Sequence, residues 1–552
     1  MIRTAFLLIV LLALGNLAYP QNIPGDVDLD AYVQPHLNEV NKLWKEKAYE
    51  DALAILRGLH EIPGIDTTAY AWSSILYNMA CAHSLLGAYD SAMFYLKGVV
   101  DAGYQNYDHL MKDSDLDPLR TDPEFAILAQ RVKHASEFWD DPAIATKYSE
   151  NISEDEKLAG LAKFWMEVKM NFVYFDHVPE LDWDSLYVAY IPKVRRTGST
   201  LEYYNTLREM CAQLRDGHTG INPPRELWPV VWASPDIFTK LIENKVIVTK
   251  VTSDSLKALP IKAGMEVLKI DGMDVKDYAA RYVEPYMFAS TPQGLTVQTY
   301  SYWLLSGAKD KPIALELADE SGELVEVSVP RTTDFTRGPD VEYRELPGGI
   351  AYVSLNTFSN DGVFKTFDSL FATISKAKGL ILDVRRNGGG NSTVGWNVLG
   401  CLTDSTFPAL LTETINYSAH RRVEGRPQRY VREDWTAKAN GKLLYTGPVV
   451  ALGGPSTGSA AEDFLVAFRA MGRGKILGEP TYGSTGQPLT FKLAGGISGR
   501  VCTNRCFYPD GKPFEGIGVI PDIAVPLTIE DIRQDRDPVL DAAVKYLETQ
   551  MK

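Results

Sequence analysis

The chain is poor in cysteine, with five in 552 residues (Cys81, Cys211, Cys401, Cys502 and Cys506). So few, in odd number, exclude a disulfide scaffold. Cys502 and Cys506 are close in sequence, but an extended strand would hold their Cα atoms ~13 Å apart, beyond bridging range. Only a turn between them would let them pair. A zinc site there would need two further ligands, and none lies nearby. Positive charge is also scarce: 56 Lys and Arg against 71 Asp and Glu leave a formal charge of −15. That balance argues against nucleic acid or an anionic membrane as the main partner. Beyond the N-terminus no apolar run is long enough to span a bilayer, and no polar repeat is present.

The composition is that of a globular protein, 45% hydrophobic and 23% charged, and the length implies several domains. Residues 1–20 differ from the rest. Arg3 precedes the apolar run AFLLIVLLALG, and small and polar residues follow around Ala18 to Gln21. The run is too short for a spanning helix and fits a cleaved signal peptide, so the expected mature protein is periplasmic or secreted.

Residues 21–140 read as successive helices. LWKEKAYEDALAIL places small Ala52, and LYNMACAHSLLGAYDSAMFYLKGVV places Ala92, where paired helices would cross. These units resemble tetratricopeptide repeats, with a longer loop between them than the usual period allows; an unrelated helical bundle is the alternative. Either form offers a docking surface for a protein partner. Residues 141–227 continue helical, with breaks expected at Pro179 and Pro192, and carry His218. Residues 228–335 switch to short strands, with a tight Asp271-Gly272 hairpin. They resemble a PDZ-like domain, which implies binding of an extended peptide at a sheet edge. Residues 336–530 alternate apolar strands (GIAYVSL, GLILDV, GPVVAL) with helices, which predicts an α/β core on a mainly parallel sheet. A terminal helix occupies 531–552. The fold class is therefore multidomain, with an all-α module, a β-rich domain and an α/β core.

The chemistry concentrates in a few short segments. In GPVVALGGPSTGSAAEDF a buried strand runs through a glycine-rich turn into a helix that opens at Ser459. A serine there can expose its hydroxyl at the carboxyl edge of the sheet, and the Ala460 amide can donate to an oxyanion. Ser459-Ala-Ala-Glu462 is equally a capping box, with the serine bonding forward and the glutamate back. In GLILDVRRNGGGNS a strand ends at Asp383 before three glycines, and Gly389 and Gly390 are candidate donors to the same oxyanion. No Lys-Ser/Thr pair follows, so the run is not a phosphate loop. A serine needs a base, and His218 in LRDGHTG is the most suitable histidine beyond the repeats.

Taken together, LRDGHTG, LILDVRRNGGG, GGPSTGSAAEDF, GEPTYGSTGQ and FEGIGVIPDI, in this order around a PDZ-like domain, resemble the tail-specific and tricorn-core serine peptidases. The resemblance implies a Ser459 nucleophile. One branch uses a lysine base after the glycine of the GEPTYG-like motif, where this chain has Ser484; Lys475 precedes the motif and does not match. The tricorn-like branch implies His218 as base and Glu515 behind it, but its orienting serine before the histidine is here Gly217, so Thr219 or a water would have to bridge. The implied activity is hydrolysis of protein or peptide substrates with neither metal nor cofactor, and an unperturbed histidine base would titrate near pH 6 to 7. A non-hydrolytic scaffold or carrier acting through its repeats and PDZ-like domain is the alternative.

Overall fold

The computed structural model describes residues 29–62, 70–335 and 338–551. The leader at 1–20 and part of the long inter-repeat loop, 63–69, lie outside the described residues. The chain divides into two compact units, Met1–Pro142 and Ala143–Lys552.

The first unit is helical throughout its described residues: Leu29–Lys45 (α1), Tyr49–His60 (α2), Tyr70–Leu85 (α3), Tyr89–Asp101 (α4), Tyr107–Lys112 (α5) and Pro123–Glu137 (α6). Ala52 and Ala92 are fully buried, which allows close packing of α2 and α4 against α3. Gly87 (φ +75°) ends α3 in the left-handed conformation that glycine adopts without strain.

The second unit opens with Glu154–Asn171 (α7), Trp183–Arg195 (α8) and Thr200–Ala212 (α9). Pro192 does not break α8, contrary to the sequence expectation. It falls in the last turn and costs one backbone hydrogen bond near a frayed end. The short strand Gly220–Asn222 (β1) follows His218 directly.

Five strands, Ile237–Ile242 (β2), Lys245–Val251 (β3), Glu266–Ile270 (β4), Ile313–Ala318 (β5) and Leu324–Val329 (β6), run in chain order through an antiparallel sheet whose sixth strand, Met273–Asp274, pairs with β4 alone. Asp271 and Gly272 both have positive φ and close the expected hairpin after β4. Among the described residues the outer edge of β2 pairs with no other strand, and Val297–Trp303, a π-helical segment, packs against β2.

The α/β core is a six-stranded sheet. Its strands are Val341–Leu346 (β7), Ile350–Leu355 (β8), Gly379–Asp383 (β9), then Val449–Gly453 (β12), Gly474–Gly478 (β13) and Ile523–Ala524 (β17). The order is β17-β13-β12-β9-β8-β7, parallel except for β7. Strands β8, β9 and β12 are buried at every position, as a sheet covered on both faces requires. One face packs Phe367, Phe464 and Phe468 from Gly362–Ile374 (α11) and Ala460–Met471 (α13), and the other packs Val539, Ala543 and Leu547 from Pro538–Gln550 (α15). Two small antiparallel sheets flank it. One joins Phe407–Asn416 (β10), Arg429–Ala437 (β11) and Asn504–Phe507 (β16), and the other joins β1 to Ser498–Cys502 (β15) and Pro488–Lys492 (β14). All five cysteines are buried free thiols, so Cys502 and Cys506 do not pair.

The carboxyl end of β9 is locked by charge. Arg385 Nη2 donates to buried Asp383 at 2.7 Å, and the same guanidinium forks onto Asp537 at 2.7 Å for both oxygens. This ties the start of the glycine run to the start of α15. Arg385→Ala strands the Asp383 carboxylate with the Tyr352 hydroxyl as its remaining side-chain donor. The expected loss is about 3 kcal/mol, read from the shift of the urea midpoint.

Candidate active site

Ser459 sits where β12 hands over to α13, and its backbone is unusual. With φ 55° and ψ −133° it occupies a region that costs a non-glycine residue about 1–3 kcal/mol. The surrounding turn holds it there. Ser459 N donates to the Ser484 carbonyl at 2.9 Å, Gly458 N to the Asn387 carbonyl at 3.1 Å, and Thr457 Oγ1 to the Val384 carbonyl at 2.9 Å. The capping-box alternative does not form, since the Ser459 side chain makes no cap hydrogen bond. Its hydroxyl lies 2.9 Å from His218 Nε2.

Glu462 turns away from the helix end as well. Its buried carboxylate accepts from Gly483 N at 2.8 Å, from Ser484 N at 2.9 Å and from the Thr481 hydroxyl. Burial nevertheless pushes its acid up to about 8. The effect is to clamp residues 481–484 onto the helix that Ser459 opens. The clamped loop carries Ser484, whose Oγ lies 2.8 Å from His218 Nδ1. For Nε2 to accept the Ser459 proton, Nδ1 must hold the ring hydrogen and donate it to Ser484 Oγ.

Glu515 does not reach the imidazole. Its carboxylate accepts from Ser290 Oγ at 2.9 Å and from Thr485 N at 2.5 Å, while Ser290 Oγ accepts from Gly217 N at 3.1 Å. It thus fixes the backbone beside Ser484 and beside His218. Thr219 is no bridge either: its amide donates to Asp216 and its hydroxyl accepts from Cys502 N. Gly217 explains the exchange. A Cβ there would stand 2.9 Å from Ser484 Cβ and Oγ and 2.6 Å from Tyr482 Cε1. Ser484 occupies the room that a serine at 217 would need. The signal was visible in the sequence, since Ser484 stood at the lysine position of the related branch.

The glycine run meets the serine closely. A Cβ on Gly389 would lie 2.5 Å from Ser459 Cβ, so only glycine fits. The Gly389 amide is spent on Asn387 Oδ1 at 2.8 Å, which removes it as an oxyanion donor. This is an Asx turn, which an Asn-Gly-Gly sequence favours. Gly390 lines the same cleft as Ser459, and Ala460 follows Ser459 at the first position of α13. Ser456 lines the same cleft, whereas Lys475 lies on β13 and pairs with Asp522 at 3.6 Å. The cleft has a volume of about 710 Å³, and Trp396, Leu410 and Trp435 form an apolar wall. Among the described residues one group has metal-like spacing, Cys81, Asp113 and Asp115 in the helical unit. Asp113 accepts from Tyr77 and Asp115 from Trp44, and none of the three lines the cleft.

A serine hydroxyl on a histidine whose second ring nitrogen meets another hydroxyl is an arrangement that serine acyl-transfer sites use. Comparison with known proteins agrees. Residues 349–525 match the model described as Peptidase family S41. The chloroplastic C-terminal processing peptidase of Tetradesmus obliquus is 26% identical over 288 residues, 51% of this chain and 56% of that protein. The tricorn protease of Thermoplasma acidophilum is 28% identical over 207 residues, 36% of this chain and 17% of that protein. The chain thus matches about half, or less, of these curated relatives' length. The crystal structure of mature CPAF superposes with a TM-score of 0.56 over 72% of this chain and 97% of that one, at 16% identity, so the likeness is one of fold.

Three expectations follow from this geometry. Burial first, then the charge of Arg500, lower the His218 imidazole to about 3. A base whose pKa is lowered stays neutral down to that value. The acid limb of kcat/KM on a peptide substrate should therefore lie well below the pH 6 to 7 of an unperturbed histidine. Ser484→Ala removes the tautomer lock and should lower kcat by about 10-fold or more, with KM little changed. Glu515→Gln presents an amide to two donors and should cost about 1–3 kcal/mol of stability with a smaller effect on kcat. A larger kcat loss in Glu515→Gln than in Ser484→Ala would reverse their assigned roles.

Proposed function

We propose that this protein is an exported serine endopeptidase that hydrolyses protein or peptide substrates through an acyl-enzyme. The observation that carries the reading is the strained Ser459 with its hydroxyl 2.9 Å from His218 Nε2. A carrier or scaffold has no use for a strained serine aimed at a buried imidazole.

In this mechanism His218 Nε2 takes the hydroxyl proton as Ser459 Oγ attacks the scissile carbonyl carbon. The carbonyl oxygen gains charge and is met by the Gly390 and Ala460 amides, the latter at the positive end of α13. The tetrahedral species collapses, His218 passes its proton to the leaving amine, and an ester on Ser459 remains. Water, deprotonated by the same imidazole, then attacks the ester and restores the serine. Ser484 holds the ring tautomer through both halves. Neither step calls for a metal or an organic cofactor.

The leader-like sequence at 1–20 supports export. No helix among the described residues is long and apolar enough to cross a membrane. The helical unit, read as tetratricopeptide-like, would serve as a docking surface for a protein partner, and the sheet that β2–β6 form, read as PDZ-like, would engage extended peptide.

Ser459→Ala tests the chemistry directly. It should abolish cleavage of an unfolded protein substrate and labelling by a fluorophosphonate. Since Ser459 caps nothing and sits at a strained φ, the melting temperature should change little. Labelling retained on the alanine variant, or wild-type turnover, would move the nucleophile to Ser456.

A further inference from the structure

The chain carries a large acidic excess, yet the cleft contains one permanent cation. Arg500, on β15, is the only lysine or arginine among its lining residues. Its place is fixed by the sheet, in which Arg500 pairs with Gly220 on β1, two residues beyond His218. Its guanidinium donates once, from Nη2 to the Gly217 carbonyl at 3.0 Å. Among the described residues no carboxylate lies within ion-pair distance of it and no aromatic ring covers it. Asp463, which also lines the cleft, is occupied by the hydroxyls of Ser392 and Thr485. Asp216 behind the loop accepts from the amides of His218 and Thr219.

Arg208, a buried arginine whose Nε and Nη2 have no hydrogen-bond acceptor, makes a useful contrast. Its guanidinium lies over the rings of Trp303, Tyr286 and Tyr204, at 4.5, 5.3 and 5.4 Å from their centroids. Aromatic faces there take the place of a counter-ion. Arg500 has no such substitute, and most of its five donors are unused within the protein.

The side of the cleft on which Arg500 stands follows from the chemistry. The leaving amine must lie within reach of His218 Nε2, which protonates it. Arg500 donates to the carbonyl of the residue just before that histidine. A group that meets the guanidinium therefore belongs to the leaving half of the substrate. We infer that Arg500 selects substrates bearing a carboxylate on the leaving-group side of the scissile bond, as an acidic side chain or as the chain terminus. The inference rests on the peptidase reading above and deepens it.

A second consequence concerns the base. A cation beside a histidine opposes the imidazolium that must form during attack, and here it reinforces the effect of burial. A substrate carboxylate seated on Arg500 cancels that field. The matched substrate thus raises the basicity of the imidazole at the moment it is needed, and the preference appears in kcat as well as in KM.

The test uses the full-length enzyme and an internally quenched peptide whose cleavage site is mapped by mass spectrometry. Glu is exchanged for Gln at the first and second positions after that site. In a second series the chain ends two residues beyond it as a free carboxylate or an amide. Wild type should favour the carboxylate member of one series about 10- to 100-fold in kcat/KM. The responding series tells side chain from terminus. Arg500→Met should bring the ratio close to one and raise the acid limb of the pH profile, and Arg500→Lys should retain part of the preference. The ratio in wild type is a readout that no folding defect can disturb. Equal cleavage of both members by wild type, or an undiminished ratio in Arg500→Met, overturns the inference and leaves the peptidase reading standing. Absence of all cleavage and of fluorophosphonate labelling in wild type overturns both.

Discussion

The Glu462 carboxylate lies at full burial three residues into the helix that Ser459 opens. Desolvating a carboxylate costs several kcal/mol, and the cost is offset only if hydrogen bonds meet its oxygens. Here the amides of Gly483 and Ser484 and the Thr481 hydroxyl do so. Every one of these donors belongs to a single loop, so the loop cannot leave without exposing the carboxylate to an apolar surrounding. That constraint sets the position of Ser484, which lies against one nitrogen of the His218 ring while the Ser459 hydroxyl lies against the other. A buried carboxyl group that touches neither Ser459 nor His218 thereby fixes the distance between them.

The same logic accounts for the pairing of Gly217 with Ser484. A ring nitrogen needs one acceptor to define its tautomer, and space at Nδ1 admits one small hydroxyl. With a side chain at 217 the two would collide within 3 Å. The hydroxyl can be supplied from the chain before the histidine or from the loop across the cleft, but not from both. Glu515 then acts one step back, through Ser290 and the Thr485 amide, on the backbones that carry the imidazole and its partner. The expected direct relay from Glu515 to His218 is replaced by positional support.

The buried strands β8, β9 and β12 were legible because a sheet covered on both faces leaves only apolar positions in its central strands. Ser459 and His218, which the structure brings to 2.9 Å of each other, could be singled out because a strand–turn–helix and a glycine-flanked loop are local patterns. What the residues could not disclose was which way side chains turn. Glu462 reads as a capping partner in the sequence and is instead a clamp on residues 481–484, since the loop that claims it lies some twenty residues away. Gly389 reads as a donor, and its amide is taken by Asn387 two residues earlier, a local bond that an Asx pattern does announce. Arg500 gave no signal, because its role depends on β15 pairing with β1 across 280 residues of chain. Pro192 misled in the opposite sense: its effect on a helix depends on how near the end it falls.

The β-rich insertion between β1 and the α/β core is part of the same construction. Ser290 links Glu515 to Gly217, Thr291 Oγ1 donates to the Tyr482 carbonyl at 2.7 Å, and Gln293 Nε2 donates to the carbonyls of Thr481 and Ile517 at 3.0 and 2.8 Å. Gln298 Nε2 adds a bond to the Tyr482 hydroxyl at 2.8 Å, from the π-helical segment that packs on β2. The loop carrying Ser484 is therefore gripped from two sides, by Glu462 beneath and by residues 291–298 above. Two independent grips on four residues leave little freedom for the loop to sample, and the ordering entropy is met in folding rather than at each catalytic turnover. It follows that the sheet bearing β2 and the site bearing Ser459 are mechanically one body, so a displacement at the β2 edge that moves Val297–Trp303 must be felt at Ser484.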